Sequence, residues 1–387
     1  MNLDLLPPKH SAARSRSPLV KPPLPLLTTC GSSCTQVISA SELTDEILTD
    51  WDVIRASWPG YRSPFFSHQY LQAVARHCEG IQVALVKNSG RVVAILPFQR
   101  LSRRRARPAG AGVNDAHGIL ALPNSAVSPC DLLRAAGLSS YAFHAAPEQN
   151  LGVAEHKLGV VRSFLADLKV DPQGYDHYLL KNSYTVSRQP QKTRRMIREL
   201  GPLKFDFDCY DASLLEYLIR LKCEQYSRTH NFQILGVPWI GAMMLDLLCQ
   251  RDSTVRGVLS VMLCGQQPVA MHFGMAEGDL LHYWFPVYNL KYSVMSPGTQ
   301  LFLEVCRAAT DRGYSAIDMG FGEQDYKVKL TNVVSQMNYG IITSSALRRI
   351  AHQSCLAFKS YWRNSPLKGY IKPVIRKLRP NFGGNQY

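Results

Sequence analysis

Residues that could carry chemistry are concentrated in residues 268–332. At residues 296–299 (SPGT), serine is a good capping residue, proline suits the first helical position, and glycine leaves the first amides uncovered. These amides and the positive end of the helix dipole would form a site for a pyrophosphate. Ser296, Gly298 and Thr299 are therefore predicted to bind an anionic donor. The alternative is that these residues only begin a helix.

A second group of candidates surrounds the end of an apolar strand at residues 318–322 (DMGFG). Asp318 could orient a neighbouring group or hold a substrate amine, since the two glycines let a ligand approach the backbone. Carboxylates accept protons from nucleophiles, a phenol can protonate a leaving thiolate, and an ammonium can offset an oxyanion. The candidates for these roles are Glu323, Asp325, Tyr326, Lys327 and Lys329. Alternatively, the carboxylates are solvated and the YKVK sequence is a strand with its lysines facing water.

Further candidates have an equally plain structural interpretation. His272, within the apolar sequence VAMHF, could be a base or a satisfied core residue. The basic helix at residues 191–200 (QKTRRMIREL) could contact a phosphorylated acceptor or only expose its charge to water. No Walker-type loop or dinucleotide fingerprint is recognisable. The ten cysteines show no CxxC pair or metal-ligand spacing, so we expect no metal and reduced thiols.

Helical and strand patterns alternate along the chain and predict an α/β organisation. A chain of 387 residues exceeds what one core usually supports, which favours two domains. The sequences VALVKNSGRVVAILPF and LSVMLCGQQPVAMHF share a strand, a polar turn and a second strand, as a duplicated unit would. The predicted divisions are a disordered leader at 1–36, an N-terminal domain at 37–170, a C-terminal domain at 171–345 and a basic tail at 346–387.

The formal net charge of +15 is concentrated near the C-terminus. From Tyr326 onward the sequence contains eleven Lys and Arg and no Asp or Glu. Such a segment could bind an anionic membrane surface or a nucleotide, or it could be a solvated tail. We recognise no signal peptide and no apolar run of roughly 20 residues. The sequence therefore favours a cytoplasmic protein, soluble or peripheral on the inner membrane face.

The order of these motifs resembles the GNAT acyltransferase superfamily. The motifs are a PFF segment, a strand pair, the Gly-rich AGAGVNDAHG loop, a basic helix, a second strand pair, SPGTQLFLEVCRAA and DMGFGEQDYK. The branch most similar is the tandem-GNAT one typified by CelD-type proteins of cellulose biosynthesis, distantly akin to FemAB aminoacyltransferases. The resemblance spans roughly residues 37–345. It implies two tandem GNAT-like domains, each a mixed, mostly antiparallel sheet flanked by helices.

The resemblance also implies an activity. Such proteins transfer an acyl group directly from acyl-CoA, such as acetyl-CoA, to an amine or hydroxyl, often on a sugar or polysaccharide precursor. Ser296, Gly298 and Thr299 would lie at the donor pyrophosphate, Asp318, Tyr326 and Lys327 would border the acceptor, and strand amides near His272 would hold the oxyanion. The usual pyrophosphate signature is only partly met at residues 293–298. An aminoacyl-tRNA donor therefore stays open, as does a degenerate pair that binds a cyclic dinucleotide or lipid.

Overall fold

Thirteen strands form one sheet in the part of the chain that the structure describes, residues 34–123 and 125–364 of a computed structural model. The strands are β1 Cys34–Ser39, β2 Ile81–Asn88, β3 Arg91–Ser102, β4 Arg105–Pro108, β5 Leu120–Ala121, β6 Ser140–Pro147, β7 Lys157–Asp167, β8 Leu203–Asp206, β9 Val255–Cys264, β10 Gln267–Glu277, β11 Leu280–Tyr288, β12 Ala316–Phe321 and β13 Val333–Ile342. They are ordered β1-β2-β3-β4-β6-β13-β7-β12-β11-β10-β9-β8, and β5 pairs with β3.

Twelve α-helices accompany the sheet within these described residues. They are α1 Asp45–Ala56, α2 His68–His77, α3 Pro129–Ala135, α4 Val153–His156, α5 Tyr175–Asn182, α6 Tyr184–Ser187, α7 Gln189–Leu200, α8 Ala212–Arg228, α9 Pro238–Cys249, α10 Pro297–Asp311, α11 Asp325–Leu330 and α12 Ala346–Asn364. Some begin with the caps that their sequences predict. The Ser67 side chain accepts from the Tyr70 amide before α2, and Asp211 accepts from Ser213 and Leu214 before α8. The predicted mixed α/β class, with a mostly antiparallel sheet, is confirmed.

Two strands are exchanged between the two halves of the chain. Strand β7, from the first half, lies between β12 and β13, whereas β13, near the C-terminus, lies between β6 and β7. Each half therefore contributes a strand that the other half's sheet needs. The division predicted at residue 170 follows the end of β7 in sequence, and the two-domain division stays a prediction.

Side-chain contacts also connect the two halves. Arg55 on α1 makes a bidentate ion pair with Glu277 on β10, with both nitrogen–oxygen distances 2.7 Å. The Trp284 indole on β11 donates to the Val113 carbonyl at 2.9 Å. Both contacts bring the loop after β4 and the helices of the first half against β10 and β11. This packing places a Gly-rich loop of the first half beside strands of the second.

Three expectations from the sequence, for the YKVK segment, the leader and the tail, are corrected by the structure or concern residues outside its described parts. The YKVK sequence is not a strand but lies in helix α11, because residues 325–330 turn back after β12. The predicted leader lies outside the described residues up to residue 33, and the predicted tail lies outside them after residue 364.

Candidate active site

An opening between two parallel strands defines the centre of the candidate site. Strands β11 and β12 pair only at Leu280–Ala316, Leu281–Ile317 and His282–Asp318. Strand β11 then continues to Tyr288, while β12 continues to Phe321 along β7. The two strands therefore separate beyond His282 and Asp318, which leaves main-chain groups of β11 available to a ligand.

His282 lies between two carboxylates at the start of this opening. Its Nδ1 is 3.2 Å from Asp318 Oδ2, and its Nε2 is 3.2 Å from Asp115 Oδ2. The imidazole is fully buried, which disfavours its charged form, yet the contacts with Asp115 and Asp318 outweigh this effect and raise the pKa of His282 to about 9. His282 is therefore an imidazolium at neutral pH, held by one carboxylate from each half of the chain.

Asp318 is fixed by a second interaction besides His282. Its Oδ1 accepts a hydrogen bond from the Gly320 amide at 2.8 Å. Burial opposes ionisation of Asp318, but the hydrogen bond and charge of His282, together with the Gly320 amide, lower its pKa overall. Asp318 therefore contacts the buried imidazole, and its role in orienting a neighbouring group stays a prediction.

Gly320 leaves the space that Asp115 occupies. Its φ is +69°, and a Cβ built there would lie 2.4 Å from Asp115 Oδ2 and 3.2 Å from His282 Cε1. Only glycine combines this backbone conformation with so close an approach. Asp115 itself belongs to the Gly-rich loop AGAGVNDAHG, which the sequence singled out without assigning its carboxylate a role. The signal that could have found it was an acidic residue among glycines.

Helix α11 places a lysine and a tyrosine beside these carboxylates. Lys327 is buried and donates from Nζ to the Phe321 carbonyl at 2.7 Å. Burial lowers the pKa of Lys327, while the charges of Asp115 and Asp318 oppose that change. The Tyr326 side chain is 38% exposed as a whole, but desolvation of its hydroxyl, together with the charge of Asp115, raises the pKa of this phenol, so it stays protonated at neutral pH.

None of the other predicted acid and base residues belongs to the His282–Asp115–Asp318 cluster. Glu323 and Asp325 are exposed, and the Glu323 carboxylate is 3.8 Å from Arg162. Lys329 is also exposed. His272 is fully buried on β10, stacks on Tyr283 with ring centroids 4.0 Å apart, and has a pKa lowered by burial and by the charge of His282. These positions match the structural alternatives stated from the sequence, and the catalytic roles stay predictions.

The N-terminus of α10 differs from the predicted capped start. Ser296 adopts a left-handed conformation with φ +52°, and its side chain does not cap the helix. Instead, Lys192 on α7 donates from Nζ to Ser296 Oγ at 2.6 Å. Pro297 occupies the first turn, and Gly298 and Thr299 are half-buried beside it. The helix start therefore has a lysine at its positive end, which strengthens its suitability for an anion.

Neither a metal cluster nor a membrane span was found in the described parts of the chain. Among residues 34–123 and 125–364, no group of three or more His, Cys, Asp or Glu could hold a metal ion. Over the same residues, no helix combines the length and the apolar character needed to cross a bilayer.

The chain is similar to one protein family and to several solved structures. Residues 186–328 match the family described as the acetyltransferase (GNAT) domain, and no curated protein matches the chain. The crystal structure of FemX has a TM-score of 0.51 at 10% identity, covering 79% of this chain and 96% of that chain. A tandem GNAT protein from the clavulanic acid biosynthesis pathway has a TM-score of 0.48 at 11% identity, covering 81% and 99%. L-PGS from Bacillus licheniformis has a TM-score of 0.48 at 12% identity, covering 79% and 96%.

The family match covers the part of the chain that carries the opening. Residues 186–328, which match the acetyltransferase (GNAT) domain, contain β11, α10, β12 and most of α11, and this match supports an acyltransferase. The likeness to FemX concerns the fold alone at this identity.

Proposed function

We propose that this protein transfers an acyl group from acyl-CoA, such as acetyl-CoA, to an amine or hydroxyl of a sugar or polysaccharide precursor. The observation that carries the proposal is the opening between β11 and β12, which begins at His282 and Asp318. The free part of β11 can bind the amides of an extended pantetheine arm as an added strand would. The start of α10 follows shortly after β11 and supplies an anion site for the pyrophosphate.

The donor phosphates are assigned to the α10 N-terminus. The amides of Gly298 and Thr299, the side chain of Ser296 and the ammonium of Lys192 would hold the pyrophosphate there. Lys192 replaces, in part, the positive and hydrogen-bonding groups that the incomplete signature at residues 293–298 lacks. Acetyl-CoA is therefore compatible with this chain despite the departure of its sequence from the usual motif.

The acceptor nucleophile is assigned to the side of His282 on which Asp115 lies. Asp318 already uses both oxygens, for His282 and for the Gly320 amide, whereas Asp115 uses Oδ2 for His282. Asp115 is therefore the carboxylate that we assign to accept a hydrogen bond or a proton from the nucleophile. The imidazolium of His282 keeps Asp115 in place.

The transfer itself needs no covalent enzyme intermediate. The acceptor nitrogen or oxygen forms a bond to the thioester carbon, the carbon–sulfur bond breaks, and the sulfur leaves as a thiolate. The Tyr326 hydroxyl, which stays protonated at neutral pH, would give this thiolate its proton. Free amides of β11 and the Lys327 ammonium would offset the negative charge on the carbonyl oxygen.

The sugar acceptor rests on the resemblance of residues 37–345 to the cellulose-biosynthesis branch. It is tested by incubating the protein with labelled acetyl-CoA and a panel of amino sugars, nucleotide sugars and cellulose oligomers. Labelled product and free thiol are expected in equal amounts with at least one sugar acceptor. Thiol release without a labelled product from any sugar would contradict the sugar acceptor while retaining the donor.

An aminoacyl-tRNA donor is a second candidate because α7 carries a cationic face beside the donor helix. Arg194, Arg195 and Arg198 are exposed on this helix, next to the Lys192 that contacts Ser296. A tRNA would use many of these cations, so its binding would fall steeply with salt. Transfer from aminoacyl-tRNA, together with no binding of acetyl-CoA, would favour this donor.

An anionic membrane surface is the proposed partner of α12. The helix has exposed apolar side chains, with Leu347, Ile350 and Phe358 at 80%, 59% and 62% exposure, and the sequence after Tyr326 is free of acidic residues. A basic helix with an exposed apolar side is suited to the interface of an anionic bilayer. This arrangement also keeps open the regulatory alternative, in which the protein binds lipid or a cyclic dinucleotide without catalysis.

A further inference from the structure

Two buried lysines lie at the opening between β11 and β12, and each contacts one of the two strands. Lys222 on α8 donates from Nζ to the Pro286 carbonyl on β11 at 2.6 Å. Lys327 on α11 donates from Nζ to the Phe321 carbonyl of β12 at 2.7 Å. Both carbonyls lie beyond the last paired residues of these strands. The two ammonium groups therefore border the opening from its two sides.

Lys222 is unusual because it is buried without a carboxylate. The residue is 8% exposed, and within the described parts of the chain it has no ion-pair partner. Its other described contact is with the Tyr226 ring, whose centroid is 5.4 Å from Nζ. A buried ammonium is normally paired, since its removal from water costs free energy that a carbonyl dipole offsets only in part. An ammonium also has three donors, and the Pro286 carbonyl occupies one of them.

The charges around the opening leave one positive charge in excess. Asp115 and Asp318 carry two negative charges, while His282, Lys327 and Lys222 carry three positive charges when protonated. Burial and the charge of Lys327 lower the pKa of Lys222 to about 8, which is the direction expected for a cation without a counter-charge. Lys222 is still mostly protonated at neutral pH. A ligand with one negative group would balance this set of charges.

We propose that Lys222 and Lys327 bind an anionic group, a carboxylate or a phosphate, of the acceptor molecule. This inference rests on the proposed acyl transfer for the identity of the ligand as the acceptor. The anion accepts hydrogen bonds from the donors that the Pro286 and Phe321 carbonyls leave free. The acceptor is then an amine or hydroxyl compound that carries an acidic group, and its anion fixes the nucleophile relative to Asp115.

The test uses sulfate as the probe for a phosphate-like group and acetate as the probe for a carboxylate, titrated into the full chain at constant ionic strength. Lys222→Met removes the charge and keeps a long apolar side chain. Because the ammonium has no carboxylate partner, this variant is expected to retain or raise the melting temperature. We expect it to bind the preferred probe at least tenfold more weakly than the wild type. Lys204→Met, at an exposed lysine on β8, is the matched control and should bind like the wild type.

Two further measurements keep this site distinct from the donor site. Selenate soaked into wild-type crystals should lie within hydrogen-bond distance of Lys222 Nζ, and acetyl-CoA should bind Lys222→Met within about twofold of its wild-type affinity. Unchanged probe binding by Lys222→Met, selenate only at α10, or an equal loss of acetyl-CoA binding would overturn the inference. If the wild type binds no acetyl-CoA but Lys222→Met still loses the probe, the anion site stands and the proposed donor falls.

Discussion

At the scale of single residues, the His282 cluster joins the two halves of the chain through one imidazolium, whose two nitrogens face different carboxylates. The imidazolium is stable in a fully buried position because Asp115 and Asp318 each lie 3.2 Å from one of its nitrogens. Neither aspartate is near His282 in the sequence, and only the sheet and the Gly-rich loop bring the three together. The cluster is therefore both a structural contact and the centre of the proposed site.

His282 should make stability depend on pH. Its pKa is about 9 when folded and about 6.5 when unfolded, so the folded state holds the proton more tightly. The stabilisation is fully present below pH 6.5 and is lost as pH rises through 9. The His282→Gln substitution should lower the free energy of unfolding by on the order of 3 kcal/mol near pH 6 and by much less near pH 9.5. Urea unfolding of both proteins at several pH values measures this difference.

The wild type must be compared with the His282→Gln variant because the contribution of Lys222 to stability changes with pH in the opposite direction. The pKa of Lys222 is lowered to about 8 in the folded state, so its contribution to stability rises with pH through that region. Subtracting the curve of His282→Gln from that of the wild type isolates His282. A difference that does not change between pH 6 and pH 9.5 would show that His282 is not charged in the folded protein.

Gly320→Ala should disturb the same cluster by steric contact. The new Cβ would meet Asp115 Oδ2 at 2.4 Å in a left-handed backbone conformation. We expect a loss of about 1–3 kcal/mol in unfolding free energy and a reduction in acyl transfer of roughly 100-fold, since Asp115 must move. Gly313→Ala is the control, because Gly313 has φ +82° and no atom within 4 Å of its Cβ position. Equal activities of the two variants would contradict a role for the Asp115 position.

At the scale of elements, α12 exposes the apolar side chains of Leu347 and Ile350 to solvent. Removing residues 346–387 leaves every strand intact, because β13 ends at Ile342. We expect the full chain to sediment with vesicles that contain phosphatidylglycerol and the truncated chain to stay in solution, since each basic residue near such a surface contributes about 1 kcal/mol. Leu347→Ser with Ile350→Ser should weaken binding without changing charge. Equal sedimentation of full and truncated chains would contradict the membrane partner.

Local sequence predicts most elements because caps, turns and periodicity are local. Helix α9 begins at Pro238, a residue type that suits the first turn of a helix, and Ser67 caps α2 as its sequence suggests. Prediction from the local sequence fails where contacts between residues far apart in the sequence determine the conformation. Ser296 has a left-handed backbone conformation and contacts Lys192 instead of capping α10, and the buried Lys327 donates to the Phe321 carbonyl.

The site combines residues from one short segment with residues that only the fold brings close. Asp318, Tyr326 and Lys327 could be found from one short segment, since they follow a single strand. Asp115 had only the weak local signal of an acidic residue among glycines, and Lys222 had none, because the loop after β4 and helix α8 reach the opening only through the arrangement of the sheet. Their roles depend on how the two halves of the chain pair in the fold.

At the scale of the whole molecule, the exchanged strands connect the site to both halves. Strand β7 pairs with β12, which carries Asp318, and also with β13, which completes the sheet of the first half. The Gly-rich loop with Asp115 and the strands with His282 and Asp318 thereby belong to one continuous sheet system. The proposed reaction consequently needs both halves, although the family match covers residues 186–328 alone.

Calorimetric titration of acetyl-CoA tests the central claim most directly, because the donor site is the part of the account on which the reaction depends. We predict one binding site per chain in the wild type and about tenfold weaker binding in Lys192→Met, since one charge-assisted contact at the start of α10 is lost. Lys204→Met should bind like the wild type. A wild-type chain that binds no acetyl-CoA, or a Lys192→Met variant that binds it as tightly as the wild type, would contradict the account.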